Sequence, residues 1–404
     1  MVYSFAQVVR APRIAFSAKK IWIAFLGLLV GVIVYSVLTY VAYSILPEWT
    51  VKEVWRTYRY IPVPVPGVTH FPWYSWTIWG IGVALFVFIQ MLSISAISKV
   101  TYEELRGNEF YEVMDALRYA LKKAKANILA PITLAIFIGV FILIGCLLGL
   151  FGKIPYVGPL IIGLLFILIA LAALFVIYLV IVFFVSFLLS PSIAAGVEKD
   201  VFDVLFENFS TLNEQTWRLV LWEIFIAFCV FAGVWIFGWL TKKGLLLANW
   251  VLSVWGHSWW KSVWNNGLWY LSPVPPITWV EALTARIAPT LIHGPEWVPV
   301  NWAQLVSSFC VGLALYFIMF MVLGYGIATW AAGQSLIYAV LVKYKDDRDL
   351  LKEIEEEEKE REKEEEEKKE EIPEKVEATE AKEEKPSEEK EKPEESTKEE
   401  GETQ

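Results

Sequence analysis

Between Lys125 and Lys153 the chain runs 27 residues without a charged side chain, and similar stretches recur along it. They run from Lys20 to Glu48, Arg59 to Lys99, Lys153 to Glu198, Lys243 to Lys261 with its flanks, and Arg286 to Lys343 broken only by Glu296. About 20 apolar residues at ~1.5 Å each cross the ~30 Å hydrocarbon slab of a bilayer. Repeated stretches of this length specify an all-α integral membrane protein. Of 404 residues 56% are apolar, with 20 Trp and only 3 His, which excludes an ordinary soluble globule.

The pattern predicts six transmembrane helices, at about 21–46, 76–98, 129–151, 159–190, 218–240 and 303–340. The fourth and sixth are too long for the slab, so they must tilt, kink or continue beyond it. Pro191 is expected to kink the fourth, and Gly324, Gly326 and Gly333 to loosen the sixth. The run from Ile21 is too long for a signal peptide and reads as a retained span. Cys146, Cys229 and Cys310 each fall inside an apolar stretch with no CxxC spacing, so they are expected to be small buried side chains.

The formal charge of −9 joins two unlike parts. Residues 351–404 hold 26 acids and 12 bases, against 18 acids and 23 bases before them. A membrane domain, residues 1–345, is therefore followed by an acidic tail, residues 346–404. The tail lacks the apolar side chains to offset its ordering entropy. Its first part suits a solvated helix with Glu–Lys pairs at i,i+4, and beyond Pro373 it is expected to be disordered. It is either simple solvation or a docking segment for a soluble or membrane partner.

Lysine and arginine set the orientation. With the N-terminus inside, the inner segments before the tail carry 15 of them and the outer segments 8. This predicts a multi-pass protein of a prokaryotic cytoplasmic (inner) membrane with both termini cytoplasmic. The outer segment 241–302 is rich in Trp, including Trp250, Trp255, Trp259, Trp260, Trp264 and Trp269. Indole rings settle at headgroup level. Residues 244–271 therefore read as a helix in or dipping into the outer interface, with re-entry as the alternative.

Three segments align without a gap. Phe5, Phe110 and Phe202 correspond, as do Val8, Val113 and Leu205, then Val9, Met114 and Phe206, then Ile23, Ile128 and Val220. Each copy is amphipathic at helical spacing and leads into a span. Met91–Ser95 also matches Leu188–Ser192. The expected unit is a cytoplasmic amphipathic helix, a span out and a span back, used three times in parallel at about 1–98, 99–195 and 196–342. Lys122, Lys123 and Lys125 suit contact with an anionic inner leaflet. Packing of the same helices on span ends is the alternative.

The segments Thr101–Glu109 with Ala116-Leu117-Arg118, Ser190–Gly196 with Trp217-Arg218, and Gly333–Tyr338 before Lys343 resemble poorly characterised prokaryotic multi-span proteins. The looser group includes the membrane domain appended to some glycerophosphodiester phosphodiesterases. This resemblance implies a fold type; the catalytic domain of those enzymes has no counterpart in this sequence.

The residues point away from enzymatic chemistry. His70, His257 and His293 are far apart, and no HExxH, GxSxG or Walker A pattern occurs. No catalytic residue, metal ligand, cofactor or nucleic-acid partner is indicated. Ion coupling needs ionisable groups inside the bilayer, and Glu223 is the one candidate, expected to sit at the inner interface beside Arg218. Gln90 and Gln334 read as interhelical hydrogen-bond partners. Gly27–Gly31 and Gly145–Gly149 have the GxxxG spacing of close helix contacts, including homo-oligomer contacts. The sequence suggests a non-enzymatic scaffold that organises lipids or partners, or else a permease or lipid-handling protein for an apolar or amphiphilic molecule.

Overall fold

A computed structural model describes residues 5–46, 51–58, 60–64, 71–196, 200–271, 297–357, 359–360 and 363. Most of the tail, its expected disorder beyond Pro373, and residues 272–296 lie outside the described residues. Residues 1–353 form one compact unit. The described residues after them, from Ile354, are helical.

Every regular element among the described residues is helical. A 3₁₀ turn at Phe5–Arg10 leads into α1 (Ala11–Ala15), α2 (Ala18–Ser44) and a short α3 (Val51–Tyr58). Then follow α4 (Trp73–Arg106), α5 (Val113–Lys122), α6 (Ala124–Phe151), α7 (Val157–Ala195), α8 (Val201–Leu271) and α9 (Trp302–Asp346). Six of these, α2, α4, α6, α7, α8 and α9, are long and apolar enough to cross a membrane. The chain is a multi-pass helical membrane protein.

α8 is broken twice. Gln215 and His257 have non-helical backbone angles, so its parts are residues 201–214, 216–256 and 258–271. The middle part is about 60 Å long at ~1.5 Å per residue, so residues 244–256 continue the helix that holds the fifth predicted span. The helix expected over 244–271 is therefore not one separate element but is divided at His257. At His257 φ is +21°, and the last part packs on the start of α9. Asn266 Nδ2 donates to Val298 O and Asn266 Oδ1 accepts from Val298 N, both at 2.9 Å.

The helices pair as α2 with α4, α6 with α7, and α8 with α9. The three returning members, α4, α7 and α9, also touch one another. At one end, called the leader end below, three short helical pieces cover them. α5 packs on α4, the first part of α8 meets α7, and α1 packs on α9, so each return helix is covered by the next leader and the last by the first. The leaders separate from their spans at matching places. Ser17 is extended, Lys123 departs from helical angles, and so does Gln215; Lys123 and Gln215 correspond in the alignment above, and Ser17 falls within one residue of them.

Burial concentrates at the leader end. Residues 95–103 of α4, 189–195 of α7 and 331–342 of α9 are all buried. Ile23, Ala24, Ala96, Ile97, Ala116, Ala120 and Ala331 form one cluster there. By contrast α6 and the first half of α7 expose side chains such as Ile144, Leu147, Leu164 and Ile167, the surface that lipid tails meet. Cys146 and Cys310 are exposed and Cys229 is half-buried. The expectation that the cysteines are buried therefore fails, because in a lipid-facing span exposure costs an apolar side chain nothing.

The glycines of α9 do not break it, since the helix runs unbroken from Trp302 to Asp346. They are contact points instead. A Cβ on Gly324 would stand 3.2 Å from Ile21 O and 3.3 Å from Phe25 N, and one on Gly333 would stand 2.6 Å from Ile226 Cδ1. Gly27 and Gly31 lie against Ser93 and Phe86 of α4, whereas a Cβ on Gly145 or Gly149 would meet nothing within 4 Å. At its leader end α4 stops at Gly107, whose φ of +99° only glycine adopts without strain.

Replacing Gly324 by Val forces α9 off α2 and should cost about 1–3 kcal/mol. Gly145→Val should cost well under that. Reversible unfolding in mixed micelles compares them, and equal losses would mean that the α2–α9 contact is not close-packed.

Candidate functional site

The long return helices carry polar side chains into the bundle, and these define two sites. The first joins α8 and α9. Gln334 is fully buried, and its Nε2 donates to Glu223 Oε2 at 2.7 Å. Arg218 is not the partner of Glu223: it donates to Gln215 Oε1 at 2.8 Å and stacks 4.7 Å over the Tyr344 ring. The expectation that Glu223 pairs with Arg218 is thus corrected. A helix turn separates the two, and Arg218 sits on the aromatic face at the leader end. Glu223 Oε1 and Gln334 Oε1 have no hydrogen-bond partner among the described residues. Gln90 belongs elsewhere: its Nε2 donates to Gly27 O at 3.0 Å, joining α4 to α2.

The second site is an ionic and hydroxyl-rich core at the leader end. Lys20 is fully buried, and its ammonium donates to Glu104 Oε2 at 2.7 Å and to Ile14 O at 2.9 Å. Lys99 lies 2.8 Å from Glu103 Oε1 and 4.8 Å over the Tyr119 ring, and Arg106 binds the same carboxylate. Lys345 lies 2.7 Å from Glu207 Oε1. Between these pairs Ser98 and Ser192 share a hydrogen bond at 3.0 Å, and Tyr102 donates to Ser192 O at 3.1 Å. Asn127 Nδ2 donates to Met91 O, and Asn208 Nδ2 donates to Ser190 Oγ and Val204 O. Just beyond α9, the Glu353 carboxylate bonded to Arg348 holds that guanidinium's pKa above its ordinary value.

This core escaped the sequence reading, which counted Lys20, Lys99 and Lys345 only as topological charge. A signal existed in Lys99 and Glu103, an i,i+4 pair continuing an apolar helix. Paired burial is required here, because an isolated charge pushed into a packed core costs several kcal/mol.

The leaders have two faces in register. Ala11, Ala116 and Asn208 correspond and are fully buried; Ala15, Ala120 and Leu212 correspond and are buried. Val9, Met114 and Phe206 correspond and are 55%, 55% and 67% exposed. Lys122 and Lys125 are exposed beside them and Lys123 is half-buried. At the opposite end Trp250, Trp255 and Trp259 are exposed, while Trp260, Trp264 and Trp269 are half-buried. Trp260 Nε1 donates to Asn249 Oδ1 at 3.0 Å, and Trp269 packs edge-on against Trp297. Tyr60 meets Tyr270, Phe309 and Tyr316, so the α2–α4 connection leans on α8 and α9; burial raises its pKa.

No family model matches the chain, and no curated protein or solved structure is detectably similar to it. Among the described residues no three His, Cys, Asp or Glu side chains are grouped to hold a metal ion.

The Glu223–Gln334 bond generates a paired test. Gln334→Leu strands a buried carboxyl and should cost about 1–2 kcal/mol. Glu223→Gln keeps a neutral bond and should cost about 0–1 kcal/mol. Both are read from unfolding in mixed micelles. A Glu223→Gln loss as large as that of Gln334→Leu would assign the stabilisation to the charge instead of the pairing.

Proposed function

We propose that this is a non-enzymatic protein of a prokaryotic cytoplasmic membrane that organises lipid, built from three parallel repeats whose leaders lie in the inner leaflet. One observation carries the reading. Corresponding leader positions are buried together at 11, 116 and 208, and apolar side chains are exposed together at 9, 114 and 206. A leader that served only as packing would have no reason to present large apolar groups outward at the same register three times. An amphipathic helix in an interface does, and the neighbouring lysines fit anionic headgroups.

In this reading the inner face is the leader end, which carries most of the basic residues before the tail, and the Trp-rich end is external. The acidic tail is the element available to a partner protein. The resemblance to the membrane domain appended to glycerophosphodiester phosphodiesterases is kept as a proposal of shared architecture. A second reading, movement of an amphiphile through the bundle, is favoured by the unpartnered oxygens of Glu223 and Gln334. It requires that Glu223→Gln abolish flux in proteoliposomes, whereas lipid organisation requires that lipid co-purification with the variant stay unchanged.

Spin labels at 114 and 206 test the leaders. They should be more accessible to oxygen than to an aqueous nickel chelate, and labels at 120 and 212 should be immobilised. Labels at 114 and 206 as water-accessible as one at 108 would remove the interfacial reading. Orientation is checked by an impermeant thiol reagent on intact cells after the native cysteines are replaced. Position 265 should label and position 107 should not.

A further inference from the structure

Two cavities meet where the first leader turns into α2. One, of about 540 Å³, is apolar and is lined by Phe16, Ile21, Trp22, Val113 and Met321. The other, of about 620 Å³, is polar and is lined by Arg10, Arg13 and Lys19, with Glu104 and Glu109 also on its wall. Phe16 and Lys19 line both.

The charge balance of the polar cavity is positive. Glu104 is already engaged by the buried Lys20 at 2.7 Å. Arg10 and Arg13 are exposed and have no ion-pair partner among the described residues. The Lys19 ammonium spends two donors on Glu109 O at 2.8 Å and Tyr111 O at 3.2 Å. Those bonds fix its position and leave one donor for a ligand. Two guanidinium groups and an ammonium around one space are the donors that bind phosphate oxygens.

The adjoining apolar cavity decides between ligands. A free anion has no use for a slot walled by Phe16, Ile21 and Met321. A neutral lipid has no use for two unpaired arginines. Trp22 is 43% exposed on the slot, as an indole at the headgroup boundary would be.

We propose that this double cavity is a specific site for one anionic phospholipid, its phosphate held by Arg10, Arg13 and Lys19 and an acyl chain lying between Trp22 and Met321. The site deepens the lipid-organising reading and rests on it. It also names what the first leader does that the others do not, because α1 stands between α9 and the cationic cavity.

Full-length protein in detergent is titrated with dihexanoyl phosphatidylglycerol, dihexanoyl phosphatidylcholine and glycerol 3-phosphate, and bound species are counted by native mass spectrometry. Phosphatidylglycerol should bind at least tenfold tighter than either competitor. Arg10→Gln/Arg13→Gln should lose that preference by about ten- to thirtyfold, since each basic residue near an anionic headgroup is worth roughly fivefold. Equal binding of the two lipids, or an unchanged preference in the double variant, overturns the site. Glycerol 3-phosphate bound as tightly as phosphatidylglycerol overturns it in favour of a free-anion site. Spin-label depth at 114 and 206 does not depend on Arg10 or Arg13. Shallow labels therefore defeat the general reading, and equal binding of the two lipids by the unsubstituted protein with deep labels defeats only this site.

Discussion

The structure depends on a mismatch of length. α4, α7 and α9 have 34, 39 and 45 residues, about 50 to 70 Å of helix against a slab of ~30 Å. The excess must go somewhere, and at the leader end it carries Lys99, Glu103, Tyr102 and Lys345. These groups can face neither lipid nor an unfilled gap. They are buried in pairs, and the leaders complete the burial from outside. The need to cover overshooting helices explains why each leader packs on a return helix, and why the small residues Ala11, Ala15, Ala116 and Ala120 sit on the covered faces.

The same mismatch explains which features could be read from the sequence. Spans follow from charge-free length: five of the six long helices contain the predicted stretches, and α2 stops two residues short of its predicted limit at 46. The limits of α8 do not follow, because apolarity continues from 218 past 250 and nothing local marks His257 as the turning point. The roles of Gly324 and Gly333 were misjudged for a similar reason. A glycine that permits close approach and one that permits a bend have the same local sequence, and only the neighbouring helix distinguishes them. Glu223 and Gln334 were legible as polar residues in apolar helices. Their pairing depends on how α8 and α9 cross, which no periodicity contains.

The two ends of the bundle solve the same problem with different chemistry. At the leader end the closing groups are ion pairs and hydroxyls. At the other end they are aromatic: Tyr43, Tyr58, Phe71, Trp76 and Trp79 pack together, and Tyr35 and Tyr43 donate to the carbonyls of Pro62 and Val63. Prolines remove backbone donors from the 60–64 segment, so its carbonyls need outside partners. Phenol groups rising from α2 supply them. An aromatic cap holds its shape through ring packing and tolerates a wet surface, whereas the ionic core must stay closed.

That difference bears on where a lipid could be recognised. Selective binding of a headgroup needs unpaired donors held still, and a closed ionic core has none to offer because its charges are already bonded to one another. Donors become available only at the edge of that core, where pairing stops but packing still fixes position. The first leader marks that edge. Lys20 is turned inward to Glu104, Lys19 is tied to the backbone before α5, and Arg10 and Arg13 are left outside. The lysine that closes the core and the lysine that faces the cavity are neighbours in the sequence. Successive positions of a helix cannot face the same side, so the start of α2 divides structural charge from available charge.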